Sequence, residues 1–305
     1  MRIKRILRAG IKYLKSSDYR FLINAGMGMY NQMPDVEYLK RKYRACMGKE
    51  LNLENPQTFN EKLQWLKLHD RKPEYTMMVD KYRVREYIAK TIGEEYLIPL
   101  LGVWENPEDI DFDVLPDQFV LKCNHNSGLG MCICKDKSKL DIKKVKQELK
   151  KGLQQDYYLT GREWVYKDVP RRIIAEKYMV DESGIELKDY KVMCFNGKPR
   201  IIQLHRGRFG NHTLDFYDPQ WNRVDFTWDC PQSDLLWEKP VFWEEMLVYS
   251  QKLSHGIPHL RVDWYYAEGR LFFGELTFFP TSGFSKFIPE EWDYTLGEWI
   301  ALPKN

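Results

Sequence analysis

The sequence predicts an α+β protein. Three observations predict it: two hairpins carry strong turn residues, several helices are announced by capping residues, and the two kinds of element are mixed without regular strand–helix alternation. Residues 18 to 50 set short apolar clusters at helical spacing, with Gly48 placed to stop them. Thr58-Phe-Asn-Glu61 is a capping-box pattern, in which threonine and glutamate exchange bonds with each other's backbone N–H, and it opens a helix through Leu63, Leu66 and Leu68. Asp80 is expected to cap a second helix carrying Val84 and Ile88 and ending near Gly93. Tyr96 to Trp104, Gln118 to Cys123 and Met131 to Cys134 read as strands, and Asp141 as the start of a helix with Ile142, Val145, Leu149 and Leu153 on one face. Arg172 to Met179 is a strand. Tyr190 to Phe195 and Arg200 to Leu204 form a hairpin around Asn196-Gly197, a pair that favours a two-residue turn. A helix from about Phe242 to Leu253, a hairpin over Arg261 to Thr277 and a tryptophan-rich helical tail complete the order, with no internal repeat.

Composition narrows the class. Hydrophobic content of 43% with 30% charged residues fits a soluble globular chain, and there is no run of 18 apolar residues and no signal-peptide pattern. The six cysteines lack a paired Cys-x-x-Cys, so free thiols in a reducing cytoplasm are expected, without zinc or disulfides. A net charge of +3 with no basic stripe gives no case for nucleic acid. The first fifteen residues differ from the rest: Arg2, Lys4, Arg5, Arg8, Lys12 and Lys15 carry six positive charges without an acid, while Ile3, Ile6, Leu7, Ile11 and Leu14 fall at helical spacing. Such a helix either lies on an anionic membrane, each basic residue contributing about 1 kcal/mol, or docks on the protein's own body.

The hairpin from Arg261 carries the most chemistry. A three-residue loop centred on Gly269 would pair Asp263 with Glu275 and Arg261 with Thr277, all four on one face, with Val262, Trp264, Tyr266, Phe272, Leu276 and Phe278 on the other. Two facing carboxylates repel unless a cation lies between them, and carboxylates that share a cation with phosphate oxygens suit Mg²⁺. An ordinary hairpin with a polar face is the plain alternative. Upstream, Lys122 ends a buried strand and is followed by Asn124-His-Asn-Ser127-Gly128-Leu-Gly130, a loop whose backbone N–H groups suit phosphates, although it is not a Walker A and a simple turn has the same pattern. Ile173-Ile-Ala-Glu176-Lys177-Tyr-Met179 ends an apolar strand where an adenine can meet backbone groups.

In this order the motifs resemble the ATP-grasp superfamily, over roughly residues 56 to 300. Phe59-Asn-Glu-Lys-Leu-Gln-Trp65-Leu, Asp80-Lys81-Tyr-Arg-Val-Arg85-Glu-Tyr and Phe273-Gly-Glu-Leu-Thr-Phe look like its TupA-like family, associated with teichuronopeptide and capsular polysaccharide synthesis. The resemblance implies two α+β subdomains gripping ATP over residues 51–305, with residues 1–50 as a helical extension. It implies that Lys122 touches the α- and β-phosphates, that Asn124, Ser127, Gly128 and Gly130 belong to the loop that closes over them, and that Glu176, Lys177 and Met179 frame the adenine. Lys191, Arg206 and Arg261 would be the catalytic cations. Asp263 and Glu275 would hold Mg²⁺, with Thr277 standing where the superfamily usually has asparagine, which leaves the number of metal ions open.

The activity so implied is an ATP-dependent carboxylate–amine ligase that forms an amide through an acyl-phosphate. Its carboxylate would be a uronic acid or amino acid of a small-molecule or lipid-linked cell-surface glycan precursor, and the protein would be cytoplasmic, with peripheral contact at the inner face of the membrane through residues 1–15. Two alternatives stand beside it. A metal-dependent glycosyltransferase needs an Asp-x-Asp motif, for which Asp111-Phe-Asp113 is the nearest candidate, and a nucleotide-binding partner without catalysis would not need Lys122, Arg261, Asp263 and Glu275 together.

Overall fold

The computed structural model describes residues 10–182, 184, 187–207 and 212–303. Helices come first. Ser16 caps the helix Ser17–Gly26 by accepting the Tyr19 N–H at 3.1 Å, and Asp35–Met47 stops at Gly48, whose φ of 77° is the left-handed conformation that glycine adopts at no steric cost. This N-terminal pair is clasped to the body through Leu39 and Tyr43, which pack with Leu51, Leu68 and Phe284. The capping box forms as expected and opens the helix Phe59–His69. Asp80 is not an N-cap. Its carboxylate accepts the Tyr82 and Arg83 N–H groups and the Asn124 amide, so a turn forms before the helix Val84–Thr91 begins. The short helix Glu74–Val79 precedes it behind Pro73, which makes no side-chain capping hydrogen bond.

Strands β1 (Leu100–Trp104), β2 (Phe119–Cys123), β3 (Met131–Cys134) and β4 (Ile173–Lys177) form an antiparallel sheet in the order β1-β4-β2-β3. Asp141 caps the helix Ile142–Gln154, and Val145 and Leu149 of that helix close a core with Phe119, Leu121, Ile173 and Ala175. A second, larger sheet comprises β5 (Asp189–Phe195), β6 (Lys198–Arg206), β7 (Thr213–Tyr217) and β8 (Arg223–Val224), followed by β10 (His259–Ala267) and β11 (Arg270–Thr277), in the order β11-β10-β5-β6-β7-β8. Short β9 (Thr227–Trp228) pairs with β12 (Phe287–Ile288). The strands β7 to β9 and β12 were not expected, because runs of two to five residues carry too little alternation to stand out. The Asn196-Gly197 turn forms as anticipated, with φ of 48° and 75°.

One face of the large sheet is covered by the helix Trp243–Leu253, where the Trp264 indole N–H donates to Ser250 Oγ at 2.8 Å. At one end of the opposite face Phe59 seals the surface, its ring against Phe195 and His259. Beyond Phe195, Met193 and Ile201 the middle of that face is polar.

The hairpin pairs Asp263 with Glu275 and Arg261 with Thr277, by a different route from the one expected. Its loop has two residues, Glu268 and Gly269, at φ of 53° and 76°, and a bulge between Asp263 and Trp264 then advances β11 by one residue. The bulge falls at Gly274, where a Cβ would stand 3.0 Å from the Asp263 carbonyl oxygen. It also reverses the alternation: Phe272 joins the polar side of the sheet with Tyr265, Ala267, Ile98 and Met179, and Phe273 takes its place in the main core.

Among the described residues no helix is long and apolar enough to cross a membrane. Residues 1–9 of the basic segment lie outside the described residues; residues 10–15 are helical, with Ile11 and Leu14 exposed.

His259 starts β10 and is 2% exposed, with Nδ1 3.0 Å from the Phe278 carbonyl. Burial lowers its pKa to about 4 against the pull of that carbonyl. The unfolded chain gains the proton near pH 6.5 and the folded chain only near 4, so stability falls as pH drops through this window, by roughly 3 kcal/mol for this group. Denaturant unfolding at pH 7 and pH 4.5 checks this: His259→Gln should lose less stability than the wild type, and equal losses would show that His259 is not the titrating group.

Candidate active site

The polar face is assembled by cross-strand register. Glu275, Asp263, Lys191 and Gln203 stand opposite one another in a row across β11, β10, β5 and β6. Arg261 and Thr277 lie in the row beside them, and Tyr265 and Asp189 in the row on the other side. Asp263 is 1% exposed. Arg261 grips it as a planar fork, Nε to Oδ1 at 2.6 Å and Nη2 to Oδ2 at 2.8 Å, and Lys191 Nζ donates to Oδ2 as well. The same Nη2 also reaches Thr277 Oγ1 at 3.1 Å and Glu275 Oε1 at 3.3 Å. Lys191 is 3.6 Å from Asp189, and Lys81 is 3.5 Å from Glu275. Burial by itself raises carboxylate pKa values; Arg261 and Lys191 together outweigh it at Asp263, and Lys81, Lys191 and Arg261 together outweigh it at Glu275, so both carboxylates stay below their usual range. The repulsion between facing carboxylates is therefore answered by three side-chain cations.

These residues fit a magnesium ion as partial ligands. Among the described residues no group of three or more histidines, cysteines or acids is arranged to hold a metal by itself. Two ionised carboxylates and a hydroxyl leave positions for phosphate oxygens and water, the coordination Mg²⁺ prefers. The Lys191 ammonium, in contact with Asp263, shows that a cation is accommodated at that carboxylate.

The four-stranded sheet carries a second ion cluster on the face away from its own core. Lys122 Nζ is 2.6 Å from Glu176 Oε2, and Arg85 Nη1 lies 3.9 Å from the same carboxylate. Met179 is buried with Ile98, Ala267 and Phe272, an apolar patch where the two sheets meet. Lys177 turns outward and pairs with Glu268. The loop after β2 is tied down strongly. Asn124 is fully buried, donating to Asp80 and to the Pro170 carbonyl and accepting the Arg172 N–H, so its amide faces inward rather than toward a ligand. Gly130 packs on the helix Ile142–Gln154, where a Cβ would come within 2.8 Å of Gly152 Cα. Ser127 and Gly128 remain exposed at the tip.

Arg206 is not brought into the site. Because Lys191 pairs with Gln203, positions 204 and 206 point to the other side of the sheet, and the Arg206 guanidinium lies 4.5 Å over the Trp237 ring. Asp111 and Asp113 are also elsewhere: Phe112 between them is buried against the far core of the small sheet, and Lys137 donates to the Phe112 carbonyl.

Three residues entered without an assigned role. Lys81 bridges the two halves, donating to the Asn126 carbonyl at 2.8 Å while facing Glu275. Lys67, fully buried, donates to Gln64, the Gly161 carbonyl and the Ser282 carbonyl, and burial lowers its pKa to about 7; the nearby Glu163 pKa is raised by burial. A lysine on the apolar stripe of a helix was the signal for Lys67. Lys81 had none beyond its place next to Asp80.

A family model described as TupA-like ATPgrasp matches residues 61–301. The chain belongs to the TupA-like ATP-grasp family. It has the mixed helices and sheets of the ATP-grasp fold. No curated protein sequence matches this ATP-grasp chain. Among solved structures it is similar to D-alanine–D-alanine ligase from Bacillus anthracis complexed with ATP, at 18% identity and a TM-score of 0.44, covering 73% of this chain and 65% of that one. The Helicobacter pylori D-alanine–D-alanine ligase matches at 15% and 0.40, over 80% and 69%. The N5-carboxyaminoimidazole synthase from Aspergillus clavatus, in complex with ADP and 5-aminoimidazole ribonucleotide, matches at 11% and 0.40, over 67% and 46%.

Replacing Asp263 by Asn leaves Arg261 and Lys191 as buried cations without a full counter-charge. The Asp263→Asn protein should lose about 3 kcal/mol or more in urea unfolding, and combining it with Lys191→Met should restore part of that. An unchanged unfolding midpoint for the single variant would show that the cations pair elsewhere.

Proposed function

We propose that the protein is an ATP-dependent carboxylate–amine ligase. The observation that carries this reading is the cluster of Asp263, Glu275, Lys191 and Arg261 on one sheet, with Lys122 on the other, within an ATP-grasp chain. Lys122 and the exposed loop tip at Ser127 and Gly128 are disposed to take phosphate oxygens, and the apolar patch of Met179, Ile98 and Phe272 is suited to an adenine. Asp263, Glu275 and Thr277 would hold Mg²⁺, which when bound supplies charge neutralisation at the phosphates.

In the reaction the substrate carboxylate oxygen attacks the γ-phosphorus, the bond to the β-phosphate oxygen breaks, and ADP leaves. The amine nitrogen then attacks the acyl carbon, phosphate departs, and the amine gives up a proton. No side-chain nucleophile is needed, because the work is positioning and neutralisation of developing charge. Arg261 is always protonated in this setting, the Asp263 carboxylate outweighing burial, and its fork can share two oxygens between Asp263 and the acyl-phosphate. Lys191 neutralises the row from the β5 side. Family membership supports a carboxylate on a cell-surface glycan precursor, and the basic segment at residues 1–15 supports a place at the inner face of an anionic membrane.

Incubation with ATP, Mg²⁺ and a panel of uronic acids, amino acids and amines tests the chemistry. ADP and phosphate released only when a carboxylate and an amine are both present is the expected result. AMP release, or stabilisation against heat by UDP-sugars and not by ATP, would sink the ligase reading. For the membrane, full-length protein should sediment with anionic vesicles in a salt-sensitive way and protein lacking residues 1–15 should not; equal binding by both would refute the assignment.

A further inference from the structure

Beyond the row of acids and cations, one polar cluster on the large sheet has no part in the proposed chemistry. His205 lies two residues after Gln203 on β6 and so shares the face of Lys191. Its Nδ1 is 3.0 Å from His212 Nε2, the two rings stack with centroids 5.2 Å apart, and the other nitrogen of His212, Nδ1, is 3.4 Å from the Cys230 sulfur. A nitrogen–nitrogen contact of this length requires one shared proton. Where His212 Nε2–H donates to His205, His212 Nδ1 presents a lone pair to the thiol and can take its proton.

Cys230 is partly exposed and borders a groove of about 380 Å³ lined also by Thr227, Asp229, Pro231, Lys286 and Ile288. The backbone delivers it there on a tight bend: Asp229 has φ of 63°, and the Cys230 N–H donates to the Trp228 carbonyl at 2.7 Å. Among the described residues, the charged and titratable groups at the sulfur and its groove are His205 of β6, His212 just before β7, Asp229 beside it and Lys286. Burial raises the thiol pKa of Cys123 to about 11 and of Cys194 to about 12, and raises those of Cys46, Cys132 and Cys134.

We propose that Cys230 is a thiol-modification site, activated by His212, whose groove favours small anionic disulfides through the Lys286 ammonium. The thiol proton passes to His212, the sulfur attacks one sulfur of the disulfide, the S–S bond breaks, and the leaving half departs as a thiolate that takes up a proton. Cys230 is thereby oxidised to a mixed disulfide and the leaving sulfur is reduced, so no further oxidant is required. Small disulfides of this kind accumulate under oxidative conditions, and the adduct would fill a groove whose wall is joined to the site through Asp229: Ser285 Oγ donates to its carboxylate at 3.2 Å and contacts Thr281, four residues after Thr277.

The folded, full-length protein can be titrated with dianionic 5,5′-dithiobis(2-nitrobenzoate) and, separately, with neutral 2,2′-dithiodipyridine, followed by peptide mapping. One thiol per chain should react well ahead of the rest and map to Cys230. His212→Asn should slow that thiol about tenfold by removing the base that raises its thiolate fraction. Lys286→Gln should remove the preference for the dianionic reagent. A fast thiol that maps to Cys46 or Cys132, the other partly exposed cysteines, would overturn the proposal in the unaltered protein, as would an unchanged rate in His212→Asn. An unchanged preference in Lys286→Gln would overturn the anionic assignment.

Discussion

The buried charge on Asp263 constrains everything around it. A carboxylate with 1% exposure is tolerable only with counter-charges at hydrogen-bond distance, and they arrive from two directions: Arg261 two residues back on the same strand face and Lys191 directly opposite on β5. Both depend on strand register. A slip of one residue in β5 would bring Tyr190 or Val192 opposite Asp263 and turn Lys191 into the apolar face against the helix Trp243–Leu253. The ion cluster and the hydrophobic core therefore specify the same pairing, and neither tolerates an alternative.

Gly274 shows how tightly the cluster binds the backbone. A two-residue turn at Glu268-Gly269 would by simple counting put Gly274, not Glu275, opposite Asp263. The bulge supplies the missing residue, and it can form because a glycine at that point leaves room for the Asp263 carbonyl. The same shift sends Phe272 to the site side, where it joins Met179 and Ile98 in the apolar patch between the sheets. One backbone irregularity thus aligns the acids and builds the neighbouring apolar surface.

Lys81 then couples the two sheets. It faces Glu275 on the large sheet while holding the Asn126 carbonyl of the loop that follows β2, and its own N–H donates to the Asn124 carbonyl. Asn124 in turn joins Asp80, Pro170 and Arg172. The base of the loop is rigid as a result, and only its tip at Ser127 to Leu129 is exposed, an arrangement in which a loop can adapt to a ligand without losing its anchor.

Much of this was legible before any coordinates because its cause is local. Thr58 and Glu61 cap their helix within four residues, Asn196-Gly197 turns within two, Glu268-Gly269 marks a turn although its length was expected to be three, and the alternation of Arg261, Asp263, Glu275 and Thr277 follows from the period of a strand. The order of those motifs was enough to name the TupA-like ATP-grasp family. What was illegible depends on partners distant in the chain. Asn124 reads as a loop amide until Asp80 and Arg172 claim it, Arg206 reads as a site cation until its pairing with β7 and Trp237 places it on the far face, and Lys81 and the contact of Cys230 with His212 have no local pattern at all. By itself the sequence determined which short segments become helix, turn or strand and which side chains share a strand face, since backbone sterics and side-chain period act over a few residues. Only the tertiary structure decided which faces meet and which charges are neutralised, because burial and Coulomb interaction depend on distance in space and not on distance along the chain.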